Sequence, residues 1–173
     1  MITYLQNWKN AHQLEILLCC IVIVLVWTSI LKVKIEEKQF KKYAIIMLVV
    51  CILTVFYITV FSREQDAVSR YNYKFFWSYR LALKNVGYLE QIILNVLLLV
   101  PAGIVGASLL ENKKAYLYLG LFMGGGCISA LVETLQFTLR CGFSEVDDII
   151  SNTLGTVLGV LLWNLSRKLH RKV

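Results

Sequence analysis

Histidine is nearly absent from this chain: His12 and His170 stand at opposite ends of the 173 residues. That placement argues against a histidine-ligated zinc and against a histidine general base. Five cysteines (Cys19, Cys20, Cys51, Cys127 and Cys141) show no CxxC spacing. Four fall inside apolar runs and read as small packing residues, and Cys141 has no evident disulfide partner. Charge is scarce too. Only 17% of residues are charged against 58% hydrophobic, whereas a soluble domain of this length would cover one core with far more charge. The net charge of +7 sits on no soluble basic domain, so a nucleic-acid partner is not expected.

What the chain has is apolar runs, and spanning a hydrocarbon core of about 30 Å takes about 20 such residues. Five runs qualify: Leu14–Leu31; Ala44–Phe61, which is free of charge; Ile92–Leu110, interrupted by the single proline, Pro101; Ala115–Leu139, which contains Glu133 and Gln136; and Ile149–Leu165. Backbone amides find no water in lipid, so each run is expected to be a helix and the fold an all-α polytopic membrane protein. Met1–Gln13 holds one lysine and no small-residue cleavage site follows the first run, so that run reads as a retained span.

Five spans put the termini on opposite sides. Seven of the 18 Lys and Arg then fall on the side of Met1–Gln13, Ser62–Gln91 and Arg140–Asp148; the other eleven fall with Lys32–Tyr43, Glu111–Lys114 and Ser166–Val173. The positive-inside rule places the N-terminus outside and the C-terminus in the cytoplasm. The long connection Ser62–Gln91 carries YNYKFFWSYR, with rings and cations interleaved as at a headgroup layer. It is expected to be an interfacial aromatic anchor, or a lid or re-entrant segment over a site.

Ionisable groups inside spans cost about 2.5–3.5 kcal/mol each at mid-bilayer, so they are the first candidates for function. Glu133, Gln136 and Arg140 share one face of the fourth helix. Asp148, Asn152, Gly155 and Gly159 share one face of the fifth. Asn95 and Arg63 lie near the same side of the membrane. Gly142 suits a left-handed helix end, and Ser144 with Asp147 reads as a capping box. A tight turn at Cys141–Ser144 would set Arg140 level with Asp147 and Glu133 level with Asn152. Gly120 and Gly124, like Gly155 and Gly159, have the GxxxG spacing of close helix contacts.

These residues resemble the VanZ-like membrane protein family, typified by a teicoplanin-resistance protein of glycopeptide-resistance gene clusters. The strongest likeness is LVETLQFTLRCGFSEVDDIISNTLGTVLG (Leu131–Gly159), similar to the family's E-x-x-Q, R-x-G and D-D-x-x-x-N-x-x-G pattern. EQIILNVLLLVPAG (Glu90–Gly103) is similar to its N-x-L-L-x-x-P-x-G segment. FSR (Phe61–Arg63) and NYKFFWSY (Asn72–Tyr79) add to it, the latter departing with Phe75 where the family commonly has proline. The resemblance implies family residues at Arg63, Asn95, Pro101, Gly103, Glu133, Gln136, Arg140, Asp147, Asp148, Asn152 and Gly155. It also implies a division into an additional N-terminal helix with a basic cytoplasmic loop (1–43), a four-helix core (44–165) and a basic tail (166–173).

The function expected is lowered susceptibility to teicoplanin-like lipoglycopeptides in the bacterial cytoplasmic membrane. The means would be a polar pocket, open to the outer leaflet, that binds an amphiphile: a membrane lipid, a lipid-linked cell-wall precursor or the lipoglycopeptide itself. Arg63, Asn95, Glu133, Gln136, Arg140, Asp148 and Asn152 would line it, with the arginines facing phosphate or carboxylate. One alternative is an intramembrane enzyme on a lipid-linked substrate, with Glu133, Asp147 and Asp148 as catalytic or Mg²⁺-binding carboxylates. Divalent-metal dependence would mark it. The other is a lipid or solute transporter, for which an internal repeat would speak.

Overall fold

The computed structural model describes residues 2–63, 65, 68–110 and 115–170. Seven α-helices follow in order: α1 (Ile2–Lys34), α2 (Glu37–Phe56), α3 (Trp77–Ala82), α4 (Val86–Leu98), α5 (Val100–Leu109), α6 (Ala115–Leu139) and α7 (Val146–His170). Among the described residues, four helical stretches are long and apolar enough to cross a membrane: Glu37–Phe61, Val86–Leu109, Tyr116–Leu139 and Val146–Leu169. The run Leu14–Leu31 lies within α1, a helix of 33 residues. The chain is an all-α polytopic membrane protein.

Two spans carry built-in irregularities. The second run ends in a π-helical turn, Tyr57–Phe61, in which Ser62 N–H bonds to the Tyr57 carbonyl at 2.9 Å. A π turn inserts one residue, which rotates everything beyond it by about 100° around the axis. Arg63 stands two residues beyond it. The third run breaks at Leu99 (φ −96°, ψ 1°), and Pro101 opens α5 where its missing N–H would have had no intrahelical partner.

Helix α7 is the pillar of the bundle and packs against α5, α6 and α4, while α1 and α2 lean on α5. Every residue from Val100 to Ser108 is buried. At one end, Ile21 and Val24 of α1 join Phe40, Ile104 and Trp163 in a single core cluster. A second cluster (Val55, Val60, Leu98, Leu99, Val132 and Cys141) lies at the other end. The packing of α7 is close because it uses glycine. A Cβ at Gly155 would strike the Val96 carbonyl, and one at Gly159 the Val100 carbonyl. The other expected glycine pair behaves differently: a Cβ added at Gly120 or Gly124 would meet nothing within 4 Å, so the pair forms no close contact face. Spacing alone does not distinguish a helix face that packs from one turned to lipid.

The connection from Arg70 onward is ordered. Strand β1 (Arg70–Asn72) pairs in parallel with β2 (Phe143–Glu145), with Tyr71 opposite Ser144. Its aromatics are partly spent on each other and on the α6–α7 connection. Trp77 lies edge-on to Tyr88 at 5.6 Å and tilts against Phe143 at 6.4 Å, and Tyr71 meets Phe137 edge-on at 5.6 Å.

Candidate functional site: a carboxylate cluster under a capping loop

The α6–α7 connection departs from the expected hairpin in three ways. The left-handed residue that ends α6 is Arg140 (φ 57°); no described glycine has positive φ. Arg140 N–H bonds to the Phe137 carbonyl at 3.4 Å and Cys141 N–H to Gln136 at 3.0 Å, the two bonds of a Schellman end. Gly142 is small for another reason: a Cβ there would lie 2.8 Å from Arg63 Nη1 and 3.4 Å from Gln136 Oε1. Third, Ser144 lies in β2 and does not cap α7. The Asp147 carboxylate instead crosses to residues 70–85, the capping loop that holds β1 and α3, accepting Phe76 N–H at 2.7 Å and Ser78 N–H at 2.8 Å. Asp147 therefore caps α3, not its own helix, and it replaces the side-chain cap that Phe76, itself left-handed at φ 59°, does not supply.

The helix register shifts for a physical reason. Extended residues advance about 3.3 Å each, against 1.5 Å in a helix, so β2 carries the chain down beside α6 before α7 begins. Glu133, expected level with Asn152, instead accepts Glu145 N–H through Oε2 at 2.9 Å. Asn152 pairs one turn lower, donating from Nδ2 to Ser129 Oγ at 2.8 Å. The α7 N-terminus thus opens beside Glu133, where the helix dipole favours negative charge.

Four elements converge here. Glu133 (5% exposed) from α6 and Asp148 (8%) from α7 act electrostatically on each other, and Arg63 from beyond α2 acts on both. Asn95 of α4 lies beside Asp148, its buried Nδ2 without a hydrogen-bond partner. Gln136 donates to the Thr59 carbonyl at 3.1 Å, a group in the π turn. Gln136 therefore anchors the turn that leads to Arg63. Arg140 stands apart. It is exposed, and among the described residues it makes no ion pair with Asp147 or Asp148. The left-handed end of α6 turns it away, so the expected pairing of Arg140 with these aspartates is not formed.

Sequence reasoning passed over Glu145, because it belongs to a connecting segment where insertion cost raises no flag. It is buried (2% exposed) and holds the capping loop. Its carboxylate accepts Ser78 Oγ–H at 3.2 Å, Asn72 Nδ2–H at 3.4 Å and Gln91 Nε2–H at 3.4 Å. Burial pushes its carboxyl above the usual carboxylate range, and the hydrogen bonds from Asn72 and Ser78 pull it partly back. Tyr79 completes the tie, its hydroxyl 2.8 Å from Ser151 Oγ. Among the described residues no group of three His, Cys, Asp or Glu side chains is arranged to hold a metal ion.

Fold and site together define a polytopic membrane protein with desolvated carboxylates at one end of the bundle, under a loop clamped by acidic side chains. The VanZ/LLP1 family model matches residues 16–167, and the chain belongs to that family. The match starts well before the motif-bearing stretch and takes in most of α1. The chain is also similar to "Protein VanZ" of Enterococcus faecium, with 27% identity over 122 residues that cover 70% of this chain and 74% of that protein. No solved structure matches it significantly.

Proposed function

We propose that this protein lowers susceptibility to teicoplanin-like lipoglycopeptides by holding an amphiphile in the polar site between α4, α6 and α7. The site would open to the outer leaflet of a bacterial cytoplasmic membrane. The observation that supports this most directly is the Glu133–Asp148 pair. Both carboxylates are buried and repel each other, Glu133 has no capping role in the middle of α6, and among the described residues Arg63 is the one arginine acting on them. Such an arrangement weakens a fold that serves no other end. Arg63, exposed at the rim, is free to meet a phosphate or carboxylate of the same ligand, its planar fork suited to either.

Glu133→Gln keeps the acceptor for Glu145 N–H but removes the charge. In a susceptible bacterium, the variant is expected to accumulate at normal levels while protection against teicoplanin disappears. If abundance and protection fall together, Glu133 serves folding. An abundant, fully protective variant would remove the carboxylate from the function altogether.

The orientation rests on the lysine and arginine asymmetry. A cysteine replacing the exposed Lys84 is expected to react with a membrane-impermeant maleimide on intact cells, and a reporter fused after Val173 to be active only on the cytoplasmic side. The reverse pattern would turn the site to the cytoplasm and end the outer-leaflet reading.

A further inference from the structure

At the polar end of the bundle, among the described residues, buried carboxylates outnumber the cations that act on them. Asp147 is satisfied by two backbone amides, and Glu145 by Ser78, Asn72 and Gln91. Asp148 is not. At 8% exposure the Asn95 amide is the one side-chain donor acting on it among the described residues and closes no short hydrogen bond, and both Glu133 and Glu145 crowd it with like charge. One turn along the same face of α7, Asn152 is 3% exposed; its Nδ2 is committed to Ser129, and its Oδ1 has no donor. Arg63 supplies one positive charge and the α7 N-terminus about half of one. Three carboxylates, Glu133, Glu145 and Asp148, stand against them. Glu133 has the Glu145 N–H and the Ser144 side chain as donors, so the acceptors short of donors are Asp148 and the amide oxygen of Asn152. Such acceptors buried in a negative site call for a ligand that brings both donors and positive charge.

We propose that Asp148, Glu133 and Asn152 form a subsite for the primary ammonium group of an amphiphile. An ammonium presents three N–H donors around one charge, which suits two carboxylates and an amide oxygen. Its hydrocarbon stem would leave between the helices toward lipid. This inference rests on the amphiphile-binding reading and deepens it by naming the headgroup chemistry.

The test compares three single-chain probes on the full-length protein in dodecyl maltoside micelles near neutral pH: dodecylamine, dodecanol and dodecyl phosphate. Dodecylamine at a hundredfold excess over its Kd is expected to raise the melting temperature by about 5–10 °C. Dodecanol should raise it by far less, and Asp148→Asn should abolish the amine-specific shift. Equal shifts from dodecylamine and dodecanol would overturn the ammonium subsite while leaving the amphiphile pocket standing. A shift from dodecyl phosphate alone would do the same in favour of an anion site at Arg63. No shift from any probe would overturn the subsite and the pocket together. An amine shift that persists in Asp148→Asn would refute the assignment to this carboxylate. The three probes on the unsubstituted chain decide the headgroup question whether or not the variant folds.

Discussion

Gly155→Ala is expected to destroy the folded bundle, the largest effect of any single methyl group added to this chain. The new Cβ would overlap the Val96 carbonyl oxygen and come within 3.0 Å of its carbon. Neither atom can move by rotating a side chain, because both belong to the backbone of α4. Relief requires α4 and α7 to separate, and the neighbouring close contact of Gly159 with Val100 and Gly103 would separate with them. Overpacking a well-filled interior costs about 1–3 kcal/mol where side chains can adjust. With backbone on both sides, the loss should exceed about 3 kcal/mol and appear as a large fall in melting temperature in detergent and in membrane abundance. Gly124→Ala supplies the contrast. Nothing lies within 4 Å of a Cβ there, and alanine is the better helix former by about 1 kcal/mol. That variant should be as stable as the parent or slightly more so. Equal melting temperatures for the two alanine variants would show that α4 and α7 do not pack backbone to backbone.

Asp147→Ala is expected to free the capping loop from the bundle while leaving the spans in place. The side chain is 2% exposed and holds both Phe76 N–H and Ser78 N–H. Orphaning the buried Ser78 N–H costs about 1–3 kcal/mol and the partly buried Phe76 N–H less, and bonds to a carboxylate are stronger than neutral ones. The first turn of a six-residue helix has little else to hold it. Glu145 would still bind Ser78 Oγ and Asn72, so the loop should open locally, not unfold the protein. Amide hydrogen exchange at Phe76 and Ser78 should accelerate by about 100-fold or more, while α5 and α7 amides stay protected. Asp147→Asn, which keeps one acceptor oxygen, should fall between. If exchange in Trp77–Ala82 is unchanged in Asp147→Ala, the aspartate does not cap that helix.

Much of the fold was legible because lipid allows so few solutions. A charge-free run such as Ala44–Phe61 can satisfy its backbone only as a helix, and α6 runs over Ala115–Leu139 as hydropathy alone predicts. Pro101 was legible as a break because its ring and missing N–H act locally. Glu133, Asp148, Asn95, Asn152 and Arg63 were legible as a group because polar residues in spans must gather somewhere, and the order of spans brings them to one end.

The errors all lie where one residue's role depends on a distant partner. The Ser144–Asp147 spacing matches a capping box, but the tertiary fold brings Phe76 and Ser78 within reach of Asp147, and two preorganised amides outcompete one. Gly142 looked like the left-handed residue, but Arg140 adopts that conformation, and Gly142 is small so that Arg63 can cross above it. Glu145 drew no notice in a loop and proved to be the acceptor of the capping segment. Hydropathy and helix propensity are properties of short windows, so the chain by itself determined the helices, their membrane setting and which side chains lipid would reject. Which carboxylate is satisfied and which stands open depends on depth and register. Those were decided only when β2 paired with β1 and carried the start of α7 down beside Glu133.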